Sequence, residues 1–443
     1  MKRWWLLFII LLSFLLPLNG YGLSVEEEKK YGKEVYLQIA QSIPVNNDIY
    51  ISFYLRTVTD RLEAATNLDM PIFFTVIDSI SLDAFATIGG YVFITTGLIA
   101  MTDSEEELAG VLAHEFAHIS KRHVSKAIEK NKISNWGTIA TLLAAAIIPS
   151  PIAKSAIMAT GLAGAQQVAI SYTRENEEEA DKVGATNADK AGYGGLGTAE
   201  FLKKLRATSD NRQVPRYLLT HPYHSERIIK IEQDWRGSKC RLDTSFYPYL
   251  VARAQILHGT AGLGMEEIWI ARNLRNKEDP VSAYGAALVY SLKGNEEEAI
   301  ALARTIKSPY RNLFLSEVLI NARRFSEAIA LLKNEMNPIA RYFLGRAYEG
   351  NGDRELAVST YKSLFRYADI YPELYKRAGM ISGMMGNEGE GYEDLGRYYL
   401  INGNMDQARI SFEKAVNKYG INSARAKEVM KILDKLPKKG RTG

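Results

Sequence analysis

The run HEFAH, at positions 114 to 118, carries the most chemically suggestive spacing in the chain. Two histidines four residues apart lie one turn above each other on the same helix face, so both imidazoles can point a nitrogen at one ion. Zinc suits such a pair, because it takes neutral nitrogen and carboxylate donors in a tetrahedron and, in a catalytic site, keeps one corner open for water. Glu115 stands beside His114 and can reach that water, whose proton the ion loosens. A carboxylate that takes this proton and passes it to a leaving nitrogen hydrolyses a peptide bond without a covalent intermediate. A purely structural metal site has no use for Glu115.

His114 and His118 supply only two donors, so a third must arrive from another element. The stretch RENEEEADKVGA (174 to 185) reads as a polar helix that offers Glu177, Glu178 or Glu179. Glu177 and Asp181 are four apart and share a face, so Glu177 can bind the metal while Asp181 accepts the outer N–H of a ligating histidine. Ala180 and Gly184 leave room for that helix to approach closely. Glu175, Glu178 and Glu179 fit a solvated face. His123 reads as a surface or structural histidine, and neither His224 nor His258 has a spacing that argues for a role.

The elements that must position these residues are legible in outline. Val25 to about Ala65 fits two amphipathic helices, with Tyr31, Val35 and Ile39 and then Ile49, Phe53, Leu55, Val58 and Leu62 on their inner faces. MPIFFTVIDS (70 to 79) and YVFITTG (91 to 97) read as strands of one small sheet, with Gly89-Gly90 turning between them. Thr102 or Asp103, followed by Glu105 to Glu107, is a good start for the helix that carries HEFAH. Residues 137 to 168 are apolar and are divided by Pro149 and Pro151 into halves too short to span a bilayer. They suit either a buried helical hairpin or a surface that touches membrane or substrate.

After about residue 280 the texture changes to short helix pairs joined by polar turns, the mark of stacked helical repeats. Gly345, Tyr348, Ala357 and Tyr361 keep the spacing of Gly396, Tyr399, Ala408 and Phe412, and weaker copies centre on Ala299 and Ala328. Gly379 to Tyr392 breaks the pattern, as a long fused helix there would. At the other end, a basic start, an apolar run from Trp4 to Leu18 and small residues at Gly20 and Gly22 read as a secretory signal cleaved after Gly22. The single cysteine, Cys240, rules out an internal disulfide. With 55 basic and 51 acidic residues among 443, the charges nearly cancel, and no basic face argues for nucleic acid.

HEFAH followed by SYTRENEEEADKVG resembles the M48 family of zinc metallopeptidases. DAFATIGGYVFITTGLI (83 to 99) looks like that family's edge strand and its approach, and HPYHSER (221 to 227) matches its later His-Pro and arginine element. The resemblance covers about residues 25 to 235. The repeats extend it to periplasmic members with a C-terminal tetratricopeptide domain. It implies one zinc ion per chain held by His114, His118 and Glu177, with Asp181 behind the ligands. Tyr91, Val92, Phe93 and Ile94 would then be the strand that pairs with an extended substrate. His221 is similar to a histidine that either blocks the open corner or steadies the transition state; Arg227 would pair with an acid in the core. Asp83 departs from the asparagine more usual in the family, and no role for it is read from the sequence.

The resulting expectation is a mainly α protein with a small β-sheet. A signal (1–22) precedes a zincin-type, gluzincin-like peptidase domain (23–235), a helical connector (236–280) and a helical solenoid (281–435). The resemblance implies a zinc endopeptidase in the periplasm of a Gram-negative bacterium, acting on misfolded or stalled outer-membrane proteins. The repeats would recruit those partners or an assembly machine, and peripheral membrane contact could come through 137–168. The rival is a chaperone-like adaptor whose metal site is structural or latent.

Overall fold

The computed structural model describes residues 23–130, 172–209, 214–258 and 264–436. The expected signal (1–22) and the whole of the apolar segment 137–168 lie outside the described residues. The chain opens with α1 (Val25–Ser42) and α2 (Ile49–Ala65), the two expected amphipathic helices. Asp48 caps α2 by accepting the Tyr50 and Ile51 amides.

Three short strands follow, β1 (Phe73–Ile77), β2 (Ala84–Ala86) and β3 (Tyr91–Thr95), in the order β1-β3-β2. β1 runs parallel to β3 and β2 antiparallel to it. The strand Ala84–Ala86 was not anticipated, because three residues with two alanines carry little propensity or alternation. The Gly89-Gly90 turn therefore closes a hairpin between β2 and β3. β3 is buried on both faces: Val92 and Ile94 enter the main core, while Tyr91 and Phe93 enter a second cluster against α1 with Val35, Ile39 and Phe85. That is why its sequence reads as an unbroken apolar run.

This topology corrects one expectation. Tyr91, Val92, Phe93 and Ile94 sit in the central strand, with β1 on one edge and β2 or the Thr87 amide on the other. They have no free edge for a substrate backbone.

A short helix α3 (Thr96–Met101) leads into α4 (Glu105–Ser120), which carries HEFAH. The cap is Ser104, whose hydroxyl accepts the Glu107 amide, rather than Thr102 or Asp103. α4 is buried almost all round, as an apolar helix of this kind must be. It ends where Arg122 takes a left-handed φ of 56°, turning the chain into α5 (His123–Lys130). The acidic stretch forms α6 (Arg174–Lys190), followed by α7 (Gly197–Ser209), α8 (Arg216–Thr220) and α9 (Ser225–Asp234).

Beyond them, α10 (Tyr247–Leu257) and α11 (Met265–Arg275) lead into the helix pairs. These are α12 (Pro280–Leu292) with α13 (Glu296–Thr305), α14 (Arg311–Asn321) with α15 (Phe325–Leu332), and α16 (Pro338–Asn351) with α17 (Arg354–Lys362). After α18 (Glu373–Met384) comes the pair α19 (Glu388–Ile401) and α20 (Met405–Tyr419), and α21 (Ala424–Leu433) closes the described chain. The repeat spacing has a direct cause: a Cβ at Gly345 would lie 2.7 Å from the Tyr361 ring, and one at Gly396 would lie 2.6 Å from the Phe412 ring. Gly379 to Tyr392 is not a fused helix. α18 and α19 are separate and cross so closely that a Cβ on either Gly379 or Gly391 would lie 2.8 Å from the other's carbonyl oxygen. One continuous core runs from the sheet and α4 through α10 into the repeats, where Tyr50 packs against Phe246, Phe314 and Phe343.

Candidate metal centre

α4 and α6 pack face to face, and the contact is closest at the chemistry. A Cβ on Gly184 would lie 2.9 Å from the Cα of His114, so glycine lets α6 bring Glu177 and Asp181 up to the HEFAH face. His114 Nε2 and His118 Nε2 stand 3.0 Å apart, and Glu177 Oε1 lies 3.4 Å from His118 Nε2. The fourth donor comes from the end of α8: His221 Nδ1 is 3.3 Å from His114 Nε2 and 3.0 Å from Glu177 Oε1. All four residues are fully buried.

These separations fit a metal. A tetrahedron with bonds of about 2.0 to 2.1 Å has corners about 3.3 Å apart. Three imidazole nitrogens and a carboxylate oxygen converge at that spacing. The donor set suits a divalent ion.

Behind the ligands stands a supporting layer. Asp181 Oδ1 lies 3.0 Å from His114 Nδ1, though off the ring's N–H axis. Arg227 grips Asp181 with Nε and Nη2 at 2.7 and 2.8 Å and reaches Glu177 Oε2 at 2.6 Å, the core pairing expected of it. Burial works to raise the Asp181 carboxyl, but the Arg227 and His114 contacts outweigh it and hold its pKa at about 2. Glu177 is likewise held well below the usual carboxylate range: burial opposes this, and His221 and His114 overcome it.

Of the two readings of His123, surface or structural, the structural one holds. Its Nδ1 lies 2.9 Å from His118 Nδ1, and its Nε2 lies 3.2 Å from Glu179 Oε2, so Glu179 steadies the site rather than merely facing solvent. A continuous helix would have turned His123 away from His118; the Arg122 break brings it round. Tyr172 was also missed, and its ring stacks on His118 at 3.7 Å. His258 meets Asp78 at 3.0 Å, far from this cluster in sequence.

Glu115 lies on the other side of the donors. It is fully buried, and burial raises its pKa, the direction a general base needs. His221 Nε2 faces its Oε1 at 3.3 Å. His221 thus links the other three donors, through Nδ1, to Glu115, through Nε2, with its ring stacked on Tyr217 at 4.4 Å. Asp83 is buried beside Arg216, 3.4 Å from its Nε. Burial pushes its pKa up to about 7, against the pull of Arg216.

A buried HExxH helix, a carboxylate from a second helix and a base against the donors define a metallopeptidase. The chain belongs to peptidase family M48, whose profile matches residues 53–234, and a tetratricopeptide-repeat profile matches residues 389–417. It is 30% identical over 378 residues to the beta-barrel assembly-enhancing protease of Yersinia pestis, covering 80% of this chain and 76% of that one. The protein of the same name from Escherichia coli K12 is 29% identical over 364 residues, covering 77% of this chain and 73% of that one. A mitochondrial metalloendopeptidase of Schizosaccharomyces pombe is 25% identical over 229 residues, covering 50% of this chain and 65% of that one.

Proposed function

We propose that the chain is a zinc endopeptidase held closed at rest, which cuts unfolded or stalled envelope proteins after export to the periplasm. The observation that carries this is the four-donor cluster of His114, His118, Glu177 and His221 with Glu115 against it. Three imidazoles and one carboxylate at tetrahedral spacing favour zinc over harder ions that prefer oxygen. When bound, the metal supplies a Lewis acid that polarises a peptide carbonyl and acidifies a water. Glu115 takes that water's proton and delivers it to the departing amide nitrogen. Asp181 and His123 keep the ligating rings oriented, and Arg227 keeps Asp181 ionised and anchors Glu177. With the metal bound, His221 would be its fourth ligand and would occupy the position that substrate needs. Swung aside, its ring can donate to the oxygen that becomes negative as the carbonyl is attacked.

The choice of substrate rests on the relatives' names and on the repeats, whose stacked hairpins offer extended surface to protein partners. In the test, zinc is measured in the purified protein and cleavage of an unfolded model protein is followed with and without a chelator. About one zinc per chain, with cleavage lost on chelation and regained on adding zinc, is expected. Cleavage that ignores the chelator would overturn the reading.

The closed arrangement also favours a second mode, in which the protein binds clients through its repeats and cuts them only when His221 moves. His221→Ala should alter cleavage while zinc stays near one per chain. Loss of the zinc would make His221 an indispensable ligand instead.

A further inference from the structure

Backbone bonds fix which groups of β2 look outward. Thr95 donates its amide to the Asp83 carbonyl at 3.0 Å, and Thr87 donates to the Tyr91 carbonyl at 2.8 Å, so residues 83, 85 and 87 face β3. By the alternation of an antiparallel ladder, the backbone groups of Leu82, Ala84 and Ala86 point to the other edge. That edge lies beside the HEFAH helix. It is also where the His221 segment is fastened: the Tyr217 amide donates to the Leu82 carbonyl at 3.0 Å, and Arg216 reaches Asp83 at 3.4 Å. Tyr217, fully buried, in turn stacks on His221 and accepts the His221 amide on its carbonyl at 2.8 Å.

We infer that Asp83, Arg216 and Tyr217 form a clasp which seats His221 by docking α8 on the outer edge of β2, so that a substrate backbone pairing with that edge competes with the clasp and frees His221. An extended peptide laid along Leu82, Ala84 and Ala86 needs the Leu82 carbonyl that Tyr217 holds. Occupying the edge therefore removes the anchor of the stacked Tyr217, and His221 loses the residue that holds its ring over the donors. Asp83 and Arg216 touch neither substrate nor metal; they are positioning residues acting through α8. The inference rests on the reading of His221 as the resting fourth ligand.

The test uses the zinc-loaded full chain with Asp83→Asn, which keeps the side chain's size, and Arg216→Gln, which shortens it; each removes the charge interaction between them. Cleavage of an unfolded model protein is measured alongside the rate at which dipicolinate extracts zinc. A clasp that competes with substrate lowers the binding-competent fraction, so weakening it raises kcat/KM mainly through KM, by about tenfold. Zinc extraction should speed up alongside, because the fourth donor is less firmly held, and Arg216→Lys should stay close to wild type. Unchanged cleavage and extraction in both variants would overturn the clasp, as would a gain confined to kcat with KM unmoved. Arg216 is partly exposed, so Arg216→Gln decides the matter if Asp83→Asn fails to fold. Should Glu115→Gln abolish cleavage while the clasp variants behave as wild type, only the clasp falls. If the wild type shows no zinc-dependent cleavage, the reading beneath it falls.

Discussion

Each residue of the centre can be asked for one distinct behaviour. Asp83 is a buried carboxyl whose pKa sits near 7, well above its unfolded value, so the native state holds a proton that the unfolded chain has released above about pH 4. Stability therefore falls as pH rises from about 4 to 7, by about 1.4 kcal/mol per unit at most for this group. Asp83→Asn removes that slope. Its melting temperature should exceed that of the wild type at pH 8 and converge with it near pH 4; a constant difference across the range would refute the assignment. Asp181 has the opposite sign. Held at about 2 by Arg227 despite its burial, it contributes stability above about pH 4 that is lost as pH falls towards 2. Spacing made His114 with His118 and Glu177 with Asp181 readable, each pair one helical turn apart, and Glu115 followed from its place beside His114. His221 came from likeness to a family, His123 was read only as a surface or structural histidine, and Tyr172, Arg216 and Tyr217 were not assigned, since chain breaks and loops bring them in and no helical period records that.

At the scale of elements, the approach of α6 to α4 decides whether the donors meet. Gly184→Ala places a methyl 2.9 Å from the His114 Cα, against backbone that cannot yield without moving a helix. The expected result is a loss of about 1 to 3 kcal/mol in urea unfolding, together with weaker zinc retention. Wild-type zinc affinity in this variant would show that the two helices are not what sets the site. The sheet illustrates where sequence patterns stop. β3 stood out through its apolar run, but that run reports burial on both faces and says nothing about which neighbours take its edges. β2, short and alanine-rich, carries the outward edge and left almost no trace. In the repeats, by contrast, the glycine-to-ring crossings recur at fixed spacing and were legible, whereas the α18–α19 crossing replaces a ring with a second glycine and so broke the pattern.

For the molecule as a whole, the peptidase and repeat parts are joined by a buried charge cluster as well as by a shared core. Arg253 in α10 meets Asp48, the cap of α2, at 2.6 Å and Glu317 in α14 at 2.8 Å, with its guanidinium 4.2 Å from the Tyr50 ring centre. Replacing Arg253 with Met leaves two buried carboxylates without their partner, which costs about 3 to 5 kcal/mol. Unfolding monitored in urea should shift accordingly, and limited proteolysis should begin to release the repeats from the peptidase part. None of this was visible from sequence, because Asp48, Arg253 and Glu317 lie far apart along the chain with no shared period. The main core continues from the metal-centre helices into the repeats as far as Ile381 in α18, and the last repeat helices pack in a cluster of their own.

The account stands or falls on Glu115. Glu115→Gln keeps the size and burial of the side chain, removes the base and leaves His114, His118, Glu177 and His221 untouched. Measured beside the wild type on an unfolded protein substrate, with zinc quantified in both, the variant should retain about one zinc per chain and lose cleavage by about a hundredfold or more. Cleavage at the wild-type rate by a zinc-loaded Glu115→Gln protein would contradict the mechanism.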